Sequence, residues 1–395
     1  MVKTVSPSGR KRGRPAKIRS EPPVTLELAL TPPDAHAPAT PRAPTIVSLH
    51  LAPAKTTEVY DSYWRFAAER QRVFYRRALG QSWPWTDDPV LGSYKFTNAY
   101  RASDRVSQFL IRHVIYRSDL PDTATEVVFR ILLFKLFNKI ETWQRLEREV
   151  GPITFADYQF GRYDAVLSKA MAQGKRIYSA AYIMPPGSSA FGCKAKHQNH
   201  LKLLEMMMRN ELPNQLAAAR SMQKGFELLR AYPTIGDFLA YQFITDVNYS
   251  DVTAFSEMDF VIPGPGAKDG LRKCFADSGG LSDAELIRLM ADRQNEECAR
   301  LGLELPSLWG RPLQLIDCQN LFCEVDKYAR VAHPEASGLT GRTRIKQKFA
   351  AHSEPMQFWY PPKWEINDRI AAGAVPNEAF VAAPSSAPAP RDGET

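Results

Sequence analysis

Leu228–Cys274 reads LLRAYPTIGDFLAYQFITDVNYSDVTAFSEMDFVIPGPGAKDGLRKC. The order is helix, tight turn, helix, loop and then an aspartate. Tyr232-Pro233-Thr234-Ile235-Gly236 lies between two apolar helical runs. Pro233 and Gly236 suit a chain reversal, because proline fixes φ and glycine tolerates φ > 0. Backbone N–H groups pointing outward at a helix N-terminus can hold a phosphate. Asp259 follows Gly236 by 23 residues and precedes a Pro/Gly-rich bend. Two readings stay open for this block: a phosphate-gripping hairpin with a downstream acid, or an ordinary helical hairpin with a solvent-facing Asp.

Outward from this block, apolar spacing is helical almost throughout, so the fold class expected is mainly α. Val59–Leu79 carries Tyr60, Tyr63, Phe66 and Phe74 with arginines between them. That interleaving suits nucleic acid, but at helical spacing it also describes a core face with a solvated rim. Glu126–Leu146 is apolar nearly all round and predicts one central buried helix. His197 and His200 open a helix without a third metal ligand, which reads as polar surface. Strand-like alternation is weak, leaving room for a small hairpin at most.

Three further blocks carry polar chemistry. Trp83-Pro84-Trp85-Thr86-Asp87-Asp88-Pro89 is a proline-braced loop, and Tyr94-Lys95-Phe96-Thr97-Asn98-Ala99-Tyr100-Arg101 predicts a helix start running to Arg112. Tyr94, Asn98 and Arg101 are residue types that stack on or hydrogen-bond to bases, so they are candidate pocket residues. Leu315–Val331 places Asp317, Asn320 and Glu324 on one helical stripe, and Gln319, Cys323, Asp326 and Arg330 on a neighbouring one. Carboxylates among Leu, Ile, Phe and Val have raised pKa values if desolvated, which suits acid–base work; a structural ion pair with Arg330 is the alternative. Gly341–Phe349 interleaves Arg342, Arg344, Lys346 and Lys348, a local patch able to meet phosphates without reading sequence.

The chain has 395 residues and a formal charge of +8. Residues 1–20 hold seven Lys/Arg and no acid, so the remainder carries about +1 (8 − 7). Within that tail, Gly9-Arg10-Lys11-Arg12-Gly13-Arg14-Pro15-Ala16-Lys17 contains the Arg-Gly-Arg-Pro core of an AT-hook. Gly13 lets the backbone lie flat, and Arg12 and Arg14 reach into a narrow A/T-rich minor groove, with Pro15 closing the core. The expected domain plan is a disordered basic and Pro-rich tail over 1–57, a helical body over 58–367 and a second disordered tail over 368–395. No 18-residue apolar run or signal peptide is read, so no membrane association is expected. Five cysteines make neither a disulfide framework nor a zinc pattern. There is no GxxxxGK[ST] loop and no GxGxxG after a strand, so nucleotide hydrolysis within this chain is not expected; no metal and no cofactor are demanded. The expected location is the cytoplasm, associated with the nucleoid, or the nucleus in a eukaryote.

Taken together, YWRFAAERQ, YKFTNAYRASDR, LFKLFNKIETW, GDFLAYQFITDVNYS, EMDFVIPGPGA, IDCQNLFCEVDKY and PPKWEIN resemble the helical domain of 5-hydroxymethyluracil DNA kinases. They also resemble the α-glutamyl/putrescinyl thymine pyrophosphorylases of DNA hypermodification. That family is similar in design to helix–hairpin–helix DNA glycosylases. The resemblance implies a helix–hairpin–helix glycosylase-like domain holding a flipped, 5-substituted uracil near Asp259. It implies replacement of a 5-pyrophosphomethyl group's pyrophosphate by an amine. Asp259 would stabilise the methylene cation or deprotonate the amine, Glu324 and Asp326 would orient the amine, and Arg101 or Arg342 would neutralise the leaving group. Thr234 departs from the hairpin's first turn glycine. Phe238 stands where a bifunctional glycosylase has its lysine, so no Schiff-base strand cleavage is expected. A separate DNA kinase would supply the activated substrate. The binding set expected on double-stranded DNA is Arg12, Gly13, Arg14, Pro15, Tyr94, Asn98, Arg101, Gly236, Asn320, Arg342 and Arg344.

Three functions therefore compete: a transferase on hypermodified thymine, a monofunctional glycosylase for such a base, and a non-catalytic reader of modified A/T-rich DNA. The hook reading has its own test. Replacing Arg12 and Arg14 by Ala weakens binding of the full chain to A/T-rich duplex, measured by fluorescence anisotropy. Unchanged affinity removes the hook.

Overall fold

The computed structural model describes residues 52–180, 183–351 and 357–373, all within the compact unit Leu51–Thr395. The AT-hook residues Arg12, Gly13, Arg14 and Pro15 lie outside the described residues, as does most of both expected tails. The described unit is mainly helical, as expected, and none of its helices is long and apolar enough to cross a membrane.

Helix α1 spans Glu58–Ala78, capped by Thr57, whose side chain accepts the Val59 N–H, and it closes on Arg76 and Arg77. Basic side chains in a last turn complement the helix dipole. Its Tyr63, Trp64, Phe66 and Phe74 are buried, so the aromatics are core. Helix α2 is Ala124–Phe137 and helix α3 is Ile140–Val150. The single helix predicted over Glu126–Leu146 is broken between them at Asn138, which takes φ +48. Asparagine tolerates the left-handed region, and here the Lys135 Nζ donates to Asn138 Oδ1 at 2.9 Å. Helices α4 (Lys196–Arg209), α5 (Met222–Arg230), α6 (Asp237–Val247), α7 (Pro265–Cys274) and α8 (Leu315–Ala332) complete the frame.

His197 and His200 on α4 are buried rather than on the surface. His197 Nε2 lies 2.8 Å from Asp164 Oδ1, and His200 pairs with Tyr178 Oη and the Pro185 carbonyl, each at 2.8 Å. Partners more than ten residues away, invisible to helical spacing, explain the difference. The helix predicted to start at Tyr94 is also revised. Tyr94–Tyr100 is irregular, a 3-10 turn follows at Arg101–Ser103, and Arg105–Leu110 continues into a π-turn over Ile111–Ile115.

The body extends slightly beyond the boundaries set by composition. Strand β1 (Lys55–Thr56) pairs antiparallel with β2 (Phe275–Asp277), joining segments far apart in the chain rather than forming a hairpin. A short helix at Asn367–Ala371 crosses the expected end at 367. A two-residue strand and a five-residue helix are below the length at which periodicity is readable.

Between α5 and α6, the Ile235 N–H donates to the Tyr232 carbonyl at 3.2 Å, closing a four-residue turn. Thr234, third in that turn, carries the positive φ of +68, whereas Gly236 is extended at φ −82 and ψ 173. The expectation that Gly236 supplies the left-handed residue is therefore corrected. This is a type II arrangement with Pro233 second, and a β-branched residue sits where glycine is least strained.

Helices α7 and α8 form the most extensive helix–helix seam among the described residues. The cause is Gly270: a Cβ there would lie 2.1 Å from the Phe322 carbonyl oxygen. Gly270→Ala forces the two backbones apart, and overpacking of this kind costs about 1–3 kcal/mol. Urea denaturation is expected to show that loss. An unchanged midpoint would mean that the seam accommodates a methyl group.

Candidate nucleic-acid interface

The hairpin presents α6 with Gly236 as its N-cap and no side chain capping the first turn. Gly236 is exposed, so its end of the helix is open to an anion. Asp237 opposes this. It stands in the first turn, is exposed, and pairs with Arg230 at 2.5 Å. The Pro185–Gly187 loop abuts the turn, since a Cβ on Gly187 would lie 3.5 Å from Thr234 Cγ2. Asp259 is exposed on a bend before α7, with its N–H directed to the Ser256 carbonyl at 3.4 Å. Two residues earlier, Glu257 is buried and pairs with Arg311 at 2.9 Å.

Behind the hairpin lies a buried ionic network. Arg101 grips Asp246 of α6 with both guanidinium nitrogens, at 2.8 and 3.1 Å. Its Nε donates to Gln242 at 3.0 Å, and its Nη1 also donates to Tyr249 Oη at 2.9 Å. Lys135 of α2 shares Asp246 Oδ2 with Arg101, at 2.9 Å. Burial alone would raise the Asp246 carboxyl, but Arg101 and Lys135 outweigh it and hold the group below its ordinary value. Arg101 is only 2% exposed. It anchors the network and offers no open face to a pyrophosphate, so its expected leaving-group role is revised. Asp317 accepts the Arg101 N–H at 2.8 Å and the Gln314 N–H at 3.0 Å. Burial nevertheless pushes it up to about 7, with Glu257 adding to the rise.

The outer stripe of α8 serves a second cluster. Glu324 Oε2 accepts the Thr97 N–H at 3.0 Å and pairs with Lys327 at 2.7 Å. Asp104 accepts the Asn98 N–H at 2.8 Å, and burial pushes its carboxyl up to about 7. Arg70 of α1 donates to the Thr97 carbonyl at 2.9 Å. Asp326, by contrast, is buried between Lys273 of α7 at 3.0 Å and Arg330. It is a structural ion pair, the alternative the sequence left open. Asn320 is half-buried on α8.

Tyr94 and Asn98 line one small cavity of about 40 Å³ together with Arg70, Arg77, Trp83 and Phe349. The basic stretch runs beside it. Lys95 N–H donates to the Gln347 carbonyl at 3.1 Å and Phe349 N–H to the Ser93 carbonyl at 3.0 Å. Lys348 Nζ sits 4.0 Å from the Tyr94 ring centroid. Arg342 and Arg344 are exposed, and Arg330 donates to the Arg344 carbonyl at 3.1 Å. The structure thus brings Tyr94 and Asn98 to one cavity, with Lys348 beside Tyr94 and Glu324 held at Thr97; Arg342 and Arg344 lie earlier on the same exposed strap. No hydrogen bond or ion pair among the described residues links Asp259 to that group. Arg70, Arg77, Asp104 and Asp246 were missed. A signal existed for the arginines, because Arg70 and Arg77 are seven apart and so share a face of α1.

A family profile described as "5-hmdU DNA kinase, helical domain" matches residues 57–338. A curated protein of Bacillus phage SP10 named "5-hmdU DNA kinase" is 29% identical over 300 residues, covering 71% of this chain and 46% of the relative. The chain thus spans about half the length of that curated relative. No solved structure gives a significant match.

Asp317 offers a test of the buried site. Its native carboxyl keeps a proton up to about pH 7, whereas an unfolded aspartate releases it near about 4. The folded state therefore binds the extra proton between these values. The stabilisation is complete below about pH 4 and disappears as pH rises through about 7. Urea titrations of the wild type and Asp317→Asn across this range should show the wild type losing its relative stability as pH rises. A pH-independent difference would mean that Asp317 is ionised in the folded chain.

Proposed function

Because the chain belongs to the family of the 5-hmdU DNA kinase helical domain, we propose that it is a DNA-binding enzyme of thymine hypermodification, acting on a flipped 5-substituted uracil. The amine nitrogen attacks the 5-methylene carbon, the carbon–oxygen bond to pyrophosphate breaks, and the amine loses its proton. Asp259 takes that proton or faces the developing cation, because it is an exposed carboxylate of the hairpin block, whereas Asp237 there is paired with Arg230 and Asp251 accepts from Tyr116. The observation that supports DNA as substrate is the strap: Arg342, Arg344, Lys346 and Lys348 are all exposed, and Lys348 lies over the Tyr94 ring. Their side chains form no carboxylate ion pair among the described residues. Such a row suits phosphates. Arg342 then replaces Arg101 as the group for leaving pyrophosphate. Glu324 and Asp326 act as positioning residues, since each already holds a cation. Phosphorylation of the base is assigned to a partner DNA kinase, and the tail's AT-hook to A/T-rich minor groove.

One observation favours a second reading, the non-catalytic reader of modified DNA. Of the three candidate catalytic carboxylates, Glu324 and Asp326 are held in ion pairs, and Asp259 alone stands outside one among the described residues. Mass spectrometry of nucleosides, after incubating the chain with 5-pyrophosphomethyluracil DNA and amines, separates these readings. A new amine adduct is expected. Free base would instead indicate a glycosylase, and unchanged DNA a reader. Asp259→Asn should lower adduct formation by at least about a hundredfold while leaving DNA affinity intact. Undiminished activity would assign the chemistry to another group.

A further inference from the structure

The cavity beside the strap has walls that neither the hairpin nor Asp259 explains. Trp83 is 44% exposed, an unusual position for so large an apolar ring. Phe349 stacks on it, with centroids 5.1 Å apart and planes at 25°. Trp85 meets Trp83 edge-on at 5.4 Å, and Tyr94 closes the rim. Arg70 and Arg77 line the same cavity. Arg77 has a buried Nε without a hydrogen-bond partner, and its guanidinium lies 5.7 Å from the Trp85 centroid. Arg70 feels the carboxylates of Asp104 and Glu324 more than it feels Arg77. The site thus combines aromatic faces with the guanidinium of Arg77, which forms no carboxylate ion pair among the described residues, and Lys348 of the strap lies over Tyr94 at its edge.

We propose that this slot is a binding site for an extrahelical nucleobase, which stacks on Trp83 in place of Phe349 while Arg77 meets an adjacent phosphate. The inference rests on the reading of DNA as the ligand, but requires neither the pyrophosphate chemistry nor Asp259. The open space of about 40 Å³ holds only two or three waters. A base therefore enters by displacing a ring. Phe349 is the ring to move: it is half-buried, six-membered like a pyrimidine, and already stacked where a base would lie. The strap need not detach. Besides the Phe349 ring, it is held there by backbone bonds, from Phe349 N–H to the Ser93 carbonyl and from Lys95 N–H to the Gln347 carbonyl, and by Lys348 over Tyr94. Rotation of one side chain opens the slot while the basic row stays in register. Stacking on an aromatic face is sequence-tolerant, and the arginines and strap provide the phosphate affinity.

The test uses the full chain and two duplexes, one fully paired and one with a single extrahelical 2-aminopurine, whose fluorescence falls on stacking. Wild type should bind the extrahelical probe more tightly and quench it. Trp83→Ala should weaken binding to that probe about tenfold, with little change for the paired duplex. Phe349→Ala should tighten binding to the probe, the reverse of what loss of a purely structural ring would do. Arg77→Gln should reduce the salt dependence of binding by about one unit of slope. Wild-type affinity and quenching in both Trp83→Ala and Phe349→Ala would overturn the slot while leaving DNA as ligand. Failure of the wild type to bind either duplex would overturn both.

Discussion

The described unit depends on one buried charge, that of Asp246. It is 1% exposed and lies near the end of α6, a helix that is otherwise apolar along most of its length. An isolated carboxylate in that position would be neutralised or expelled, because desolvation of an ion costs several kcal/mol even after relaxation. Arg101 and Lys135 keep it ionised. Three separate parts of the chain are thereby tied together: the 3-10 turn at 101–103, helix α2 and helix α6. Removing one member of such a cluster costs roughly 3–5 kcal/mol, since the others are left charged and buried. Geometry adds specificity. Arg101 uses its side chain on Asp246 and Gln242 and its backbone N–H on Asp317, so α8 is brought into the same register.

From that anchor the rest of the frame follows. Asp317 opens α8 and faces the network; Glu324, two turns on, holds the Thr97 N–H; Asp326, near the far end, holds Lys273 of α7. The acids on α8 therefore work as a series of clamps along one helix. Gly270 permits the close approach that lets Lys273 reach Asp326. This arrangement also separates two kinds of surface. Arg101, Lys135 and Lys273 of the interior are matched to carboxylates, whereas the strap side chains form no carboxylate ion pair within the described residues.

Much of this was legible in the sequence for physical reasons. The 3.6-residue apolar period marked α1 and α8 nearly to their ends, because long amphipathic helices carry a strong signal. The pairing of Asp326 with Arg330 followed from i,i+4 spacing. The break at Asn138 was not legible, because apolar residues continue on both sides and only the φ of one residue interrupts the helix. Nor was the role of Arg101, whose partners are more than a hundred residues away. The same limit applies to the slot. Arg77 and Trp83 are near neighbours in the chain, but Phe349 lies far downstream, and the antiparallel pairing of Ser93–Lys95 with Gln347–Phe349 brings it to them.

Location of charge, more than its total, decides what this surface can bind. Outside residues 1–20 the chain is close to neutral, so long-range attraction to DNA cannot come from net charge. A neutral body can still grip a polyanion if its acids face inward and its bases face outward. Asp246, Asp317 and Asp326 are all buried, while Arg342, Arg344, Lys346 and Lys348 are exposed. The strap also lies against aromatic faces, which a phosphate-binding row alone would not need. Cations that hold a backbone, placed beside rings that can hold a base, distinguish a surface that receives single nucleotides from one that merely coats a duplex.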